Sequence, residues 1–346
     1  MKTITGRTIA FMSAGLVVLI GLAFWYWSPP AQSLRPYAGP VEKISISAVS
    51  NSTSGLLLIA QAKGYFRNNG LEATLKFFPT GPLGLEQLQA GQIDIAHVSD
   101  FVLVQEIFKG AKSLRCLGSI GTTDILHMTV LKDRGILQPG DLKGKSIGVA
   151  RGTIAEFFLG RFLTFNQLSL SDIHLISLTP EETPAVLANG QVDAAMVWDP
   201  IAYDINQRLG NKIISWPGQT GQKFYNVLVG RDEFIKSRSK ALERLFRALA
   251  QAETFSKNNR DESLAIIAKH LNLDQAIFKS TWLKSSYELS FDQALLISME
   301  DEARWMIKNK LTGQTRIPNY LDYLNAEPLD KVTQQAVSII IPKDKK

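Results

Sequence analysis

Two similar α/β lobes facing each other across a cleft are predicted by this sequence, on three observations. Gln87–Asp100 (QLQAGQIDIAHVSD) and Val186–Asp199 (VLANGQVDAAMVWD) agree at half their positions in register, among them Gly91/Gly190, Asp94/Asp193, Ala96/Ala195 and Asp100/Asp199. Around each copy, short apolar runs alternate with stretches of helical periodicity, the pattern of parallel strands covered by helices. The offset between corresponding elements stays near about one hundred residues over five elements, which a chance similarity would not sustain.

In the first half the reading is a strand at Lys43–Val49, a helix over Ser54–Phe66, a strand at Glu72–Phe78, a helix over Leu83–Ala90 and a strand at Ile93–Ser99. The second half repeats that order at Ser146–Ala150, Thr153–Phe165, Ile173–Leu178, Glu181–Asn189 and Val192–Trp198. Between the halves, apolar segments in Ser113–Val130 interrupted by Gly121–Asp124 make one crossing, and Lys223–Arg231 makes the return. Two crossings form a hinge that permits closure. From Ser239 the pattern turns helical, with Leu242, Leu245, Phe246, Leu249, Ala252 and Phe255 on one stripe. Helices over Ser263–His270, Phe278–Tyr287, Phe291–Lys308 and Pro318–Leu324 follow. The expected division is 1–8 cytoplasmic, 9–27 anchor or signal, 28–42 linker, 43–122 with 224–346 as lobe 1, and 123–223 as lobe 2.

Lys2 and Arg7 precede an uncharged apolar run, Ile9–Trp27, that is long enough to span a bilayer and ends in the aromatic cluster Phe24–Trp27. An uncleaved transmembrane anchor and a cleaved signal peptide both fit, though no small-residue cleavage site follows. Either places the globular part outside the cytoplasm, in the periplasm or on the outer face of the cytoplasmic membrane. The net charge of +6 is scattered, which excludes a nucleic-acid footprint. With a lone Cys116 and four dispersed histidines, neither a disulfide nor a metal site is expected, and no cofactor is implied. Cys116 reads as a small buried apolar residue, and His97 as packing.

In open α/β sheets, ligands sit beyond the carboxyl ends of strands, where helix N-termini offer free N–H groups. The candidates there are Ser50, Asn51, Ser52 and Ser54 at the first helix entry, Thr80–Gly81 after the second strand, and Arg151, Gly152 and Thr153 at the matching entry in lobe 2. Ser99–Asp100 and Trp198–Asp199 end the repeated strands, and Thr122 and Tyr225 lie on the crossings. Arg151 with the helix N-termini favours an anionic ligand, whereas Asp100 and Asp199 favour a cationic one. Simple helix capping explains several of these residues too, and Asp199–Pro200 has the form of an N-cap followed by Pro at the first helical position. Gly144–Gly148 (GKSIG) lacks the strand before its serine that a nucleophile elbow needs, and Gly140–Ser146 is a P-loop match one spacer short.

Gly64–Tyr65–Phe66 with Gly70–Leu71, the Asp141–Lys145 turn before Ser146–Val149, and Gly190–Pro200 (GQVDAAMVWDP) resemble substrate-binding proteins of the nitrate/sulfonate/taurine type. The pyrimidine-precursor-binding proteins of thiamine synthesis share this pattern. The resemblance spans about Ile44 to Asn309. It implies the two-lobe periplasmic-binding-protein type II fold, each lobe a mixed, mostly parallel sheet flanked by helices, here with a helical C-terminal extension and an N-terminal transmembrane helix. A monomer is implied that captures a small molecule and hands it to an ABC permease and its ATPase. A membrane-anchored sensor is the alternative. A synthase of the thiamine-pyrimidine type would need reactive histidines and a Cys-rich segment that the chain lacks.

Overall fold

The computed structural model of the chain describes residues 37–219 and 221–340. The apolar run 9–27, expected to be an anchor or signal, lies outside the described residues. Among the described residues no helix is long and apolar enough to cross a membrane.

The chain begins with β1 (Glu42–Val49), α1 (Gly55–Ala62), β2 (Leu71–Phe78), α2 (Gly81–Gln89), β3 (Ile95–Ser99), α3 (Asp100–Phe108) and β4 (Leu114–Thr123). It continues through β5 (Leu126–Leu131), β6 (Ser146–Val149), α4 (Ile154–Phe165), β7 (His174–Ser177), α5 (Thr183–Ala188), β8 (Ala194–Trp198), α6 (Ile201–Leu209) and β9 (Ile213–Pro217). It returns in β10 (Phe224–Arg231) and closes with α7 (Asp232–Ser237), α8 (Ser239–Asn258), α9 (Arg260–His270), α10 (Gln275–Leu283), β11 (Ser285–Ser286) and α11 (Gln293–Lys308).

The first sheet has the order β11-β4-β10-β3-β1-β2 and the second β7-β6-β8-β5-β9. In each, three strands run parallel (β2, β1, β3 and β7, β6, β8), and a strand coming from a crossing lies antiparallel beside the third. Both sheets are therefore mixed, as expected, with the neighbouring parallel pairs confined to one half of each. β5 and β10 each enter their sheet from the opposite one, so they run against its parallel strands. Helices cover the faces because their apolar stripes have nowhere else to go. The predicted stripe of α8 is buried at Leu242, Leu245, Phe246, Leu249 and Ala252, and the helix packs on α1.

Three local expectations change. Gly121–Asp124 is not a break, since β4 runs to Thr123 and only Asp124 and Ile125 separate it from β5. The helix expected over Phe278–Tyr287 ends at Leu283, because Ser285 and Ser286 pair with Thr123 and Thr122 of β4 while Asp124 N–H donates to Lys284 O at 3.1 Å. Pro318–Leu324 is a single 3₁₀ turn at Tyr320–Tyr323.

The repeated sequence has one physical job done twice. Asp94 Oδ2 accepts from Ser45 N–H at 2.7 Å and Ser45 Oγ at 2.8 Å, and Asp193 Oδ2 accepts from Ser146 N–H and Oγ, both at 2.8 Å. The backbone N–H of each aspartate then donates back to its serine's carbonyl, at 3.0 and 2.9 Å. Each aspartate thus ties the loop before the third strand to the start of the first. The turns carrying them need Gly91 at φ +72° and Gly190 at φ +68°, a region that disfavours a side chain. Asp94→Ala and Asp193→Ala are each expected to cost about 2 kcal/mol, since a charge-assisted pair of bonds to one carboxylate is lost. Urea unfolding checks this, and near-equal losses are the outcome expected from near-equal geometry.

Candidate functional site

The carboxyl ends of the two sheets face one another across a cleft of about 470 Å³, counting its open mouth. Lobe 1 supplies Val49, Asn51 and Thr53 after β1, Thr80, Gly81 and Pro82 after β2, Val98, Ser99 and Val102 at β3 and α3, and Phe224 and Asn226 on β10. Lobe 2 supplies Thr153 and Ile154 at the start of α4 and Trp198 at the end of β8, with Ile125 and Leu126 at the crossing.

The lining is an apolar body with a few hydroxyls and amides. Two of its polar side chains are spent on local caps. Asn51 Oδ1 accepts from Thr53 N–H at 2.9 Å and from Thr53 Oγ1 at 2.5 Å. Thr153 Oγ1 donates to Ala150 O at 2.6 Å and accepts from Ala155 N–H at 3.3 Å. Thr80 and Ser99 stand at N-cap positions of α2 and α3 but make no capping bond. Asn226, buried on β10, donates to Thr123 Oγ1 at 2.9 Å and Gly121 O at 3.3 Å. No charged residue, histidine or cysteine belongs to the lining among the described residues.

Of the predicted residues, Asn51, Thr80, Gly81, Ser99, Thr153 and Trp198 are brought together here. The structure places the others elsewhere. Ser50 faces solvent, and Ser52 and Ser54 are buried under the first helix turn, with Ser54 Oγ donating to Val49 O at 2.8 Å. Asp100 is fully buried beneath α11, accepting from Ser298 Oγ at 2.9 Å, Phe101 N–H at 3.1 Å and Tyr225 N–H at 3.4 Å. Burial pushes its carboxyl up to about 6, and its oxygens are turned to α11 and β10 rather than into the cleft. Tyr225 points its hydroxyl at Asp292, 3.1 Å away, and Thr122 is held in the ladder opposite Tyr225 and Ser286.

Asp199 lies 3.4 Å from His127 on neighbouring β5. It is not the N-cap, because the Asp199–Pro200 peptide is cis and α6 starts at Ile201 with Pro200 in the capping position. Arg151 and Gly152 are turned to Glu156, in the first turn of α4. Arg151 Nε donates to Glu156 Oε1 at 3.0 Å, and Gly152 N–H donates to Oε2 at 2.8 Å. The anion foreseen at this helix start is therefore present, and the chain itself provides it. The sequence carried the signal, since Thr153-Ile-Ala-Glu156 has the spacing of a capping box.

The crossings are stapled by a residue that sequence reading missed. Gln219 is fully buried. Its Oε1 accepts from Ile125 N–H at 2.7 Å and Leu126 N–H at 3.1 Å, and its Nε2 donates to Thr123 O and Gln222 O, both at 2.9 Å. One side-chain amide thus joins the outgoing strand pair to the returning segment, where a hinge would flex. His97 is packing, as expected, with burial holding its imidazole down at about 3. Cys116 is buried in β4, and burial pushes its thiol up to about 12.

Two mixed sheets flanked by helices, joined by two crossings and meeting at their carboxyl ends across a cleft, define a periplasmic-binding-protein-like fold. The model of the NMT1/THI5-like family matches residues 51–263, more than half of the chain, and the chain belongs to that family. A Brucella abortus (strain 2308) protein whose name assigns it no more than binding is 28% identical over 229 residues, 64% of this chain and 69% of that one. Among solved structures, the alkanesulfonate-binding protein SsuA from Xanthomonas axonopodis pv. citri bound to MOPS has a TM-score of 0.69 at 23% identity, over 81% of this chain and 97% of that one. The desulfurization enzyme DSZB has a TM-score of 0.64 at 16% identity, over 84% and 98%. At such identities the structural matches show the fold alone.

Proposed function

We propose that this protein is an extracytoplasmic solute receptor that closes its two lobes on a small molecule and delivers it to an ABC importer. One observation carries the reading. The free lobe 1 hydroxyls of Thr80 and Ser99 and helix starts from both lobes converge on an apolar cleft, and the Gln219-stapled crossings would let it open and shut. The lobes are taken as 43–122 with 224–340 and 123–223, each moving as a unit about 124–125 and 218–223. Relatives named as binding proteins, and the sulfonate-binding proteins of the same fold, support a carrier role. The run 9–27 would tether such a receptor to the outer face of the membrane, within reach of its permease. Binding is favoured over catalysis because the lining pairs no nucleophile with a base, and the one cysteine is buried in β4 with its thiol held protonated.

A thermal-shift screen of sulfonates, nitrate, amino acids and pyrimidines against the full chain tests the reading; no stabilisation by any small molecule counts against it. Thr80→Val removes a hydroxyl that caps nothing and keeps the side chain's shape. It is expected to weaken the best hit about tenfold in calorimetry while leaving the unliganded melting temperature unchanged. Trp198→Ala is the poorer probe, because Trp198 is only 8% exposed and its loss would cost core packing as well as contact.

A further inference from the structure

We infer that Glu156 is a built-in counter-ion that sets the charge of the solute, keeping anions out of the cleft and selecting molecules whose polar end carries no full negative charge. This rests on the receptor reading above and adds the ligand's chemical class to it.

Arg151 and Gly152 stand just before Thr153 and Ile154, which line the cleft at the start of α4, so this guanidinium adjoins the lobe 2 wall in sequence while leaning back from it. Arg151 Nε and the Gly152 N–H, two donors that an oxyanion could use there, are occupied. Glu156 is only 4% exposed and takes Arg151 with one oxygen and the Gly152 N–H with the other. Gly152, at φ +74°, also accepts from Gln105 Nε2 of α3 at 2.8 Å, so the loop carrying these donors is fastened to lobe 1. An incoming anion would have to share Arg151, whose guanidinium is half exposed, with a fixed carboxylate and lie near that carboxylate's buried charge. The cleft lining adds no second cation to offset that. The two acids next to the lining in sequence are engaged elsewhere, Asp100 under α11 and Asp199 3.4 Å from His127 of β5. What remains is recognition by hydroxyls and amides around an apolar body, which suits an uncharged polar solute.

Glu156→Gln keeps the shape and an acceptor for Arg151 but removes the charge, so it should turn the helix start into an anion site. Calorimetry of the full chain with methanesulfonate and with nitrate as probes reads the outcome. The wild type should show no heat of binding to either at millimolar concentration, and Glu156→Gln should bind methanesulfonate at least about tenfold tighter than any wild-type limit. In the double variant Arg151→Ala/Glu156→Gln that gain should vanish. Submillimolar binding of either anion by the wild type, lost in Arg151→Ala, overturns the inference. So does a folded Glu156→Gln protein that gains no affinity. Should Glu156→Gln fail to fold, the wild-type and Arg151→Ala arms decide alone. None of these results touches the receptor reading, which stands or falls on the wider solute screen.

Discussion

Replacing Glu302 by glutamine is expected to stabilise the protein above neutral pH and to remove most of the loss of stability that the wild type suffers as pH rises. Glu302 is fully buried on α11, and neither of its carboxylate oxygens meets a donor. Its carboxyl faces that of Asp100 within hydrogen-bonding reach, and two carboxyls bond only through a proton. Burial first, then the charge of Asp100, raises Glu302 well above the usual range, with Asp301 adding to the effect. Asp100 rises to about 6 because its burial outweighs the bonds it receives from Ser298 and Tyr225. Tyr320, packed on the same side, is raised by its burial and by the charge of Glu302, and supplies no countercharge.

Both acids have folded-state values above their unfolded ones, so the folded chain holds more protons between about pH 4 and the raised values. Stability is therefore greatest on the acid side of that window and falls as pH climbs through it. The displacement of Asp100 to about 6 corresponds by itself to about 3 kcal/mol. Melting curves from about pH 5 to pH 8 should fall in the wild type and stay much flatter in Glu302→Gln, whose amide can still donate to Asp100. Asp301→Asn, at a partly exposed neighbour, should keep the wild-type slope. Equal slopes for wild type and Glu302→Gln would show that the pair does not share a proton.

The same pair shows why half of the candidate site was legible and half was not. Asp100 and Asp199 are equivalent in the repeat, and local pattern gives no reason to treat them differently. What separates them lies about two hundred residues downstream, where Ser298 and Glu302 of α11 cover Asp100, whereas Asp199 stands beside His127 of β5. The strand ends, the helix starts and the two crossings between sheets were readable because hydrophobic periodicity and turn residues are local properties. The repeat was readable for a similar reason, since Asp94 and Asp193 each follow a turn glycine at the same short distance and each bind a serine of the first strand. Gln219 was invisible because a polar side chain in a loop becomes a staple only when two distant segments arrive around it. Glu156 is the instructive miss, since its spacing from Thr153 was in plain view and its meaning depended on Arg151 leaning back rather than into the cleft.

The second large effect falls on β4 behind the cleft-lining Asn226, where Gly121→Ala is expected to cost about 3–5 kcal/mol. Gly121 sits in β4 at φ +155°, and an added Cβ would lie 2.3 Å from the carbonyl oxygen of Ser286. That neighbour is backbone held in the β4–β11 pairing through Thr122 and Thr123, so it cannot swing aside as a side chain would. Relief would mean giving up the pairing, and with it the bond from Asp124 N–H to Lys284 O where the chain leaves for lobe 2. The damage should also reach the ligand. Gly121 O accepts from Asn226 Nδ2, which fixes an amide that lines the cleft, and from Ser119 Oγ at 2.9 Å. A shift of β4 by even a few tenths of an ångström would release Asn226 from Gly121 while leaving the opposite wall, Thr153 and Trp198, in place. Gly121→Ala should therefore lower the urea midpoint strongly and weaken solute binding more than stability alone accounts for when both are measured at a temperature where the variant is fully folded. Gly140→Ala is the matched control, since an added Cβ there meets nothing within 4 Å. Were the two variants to unfold at the same urea concentration, the close approach of β4 to β11 would not be a feature of the protein in solution.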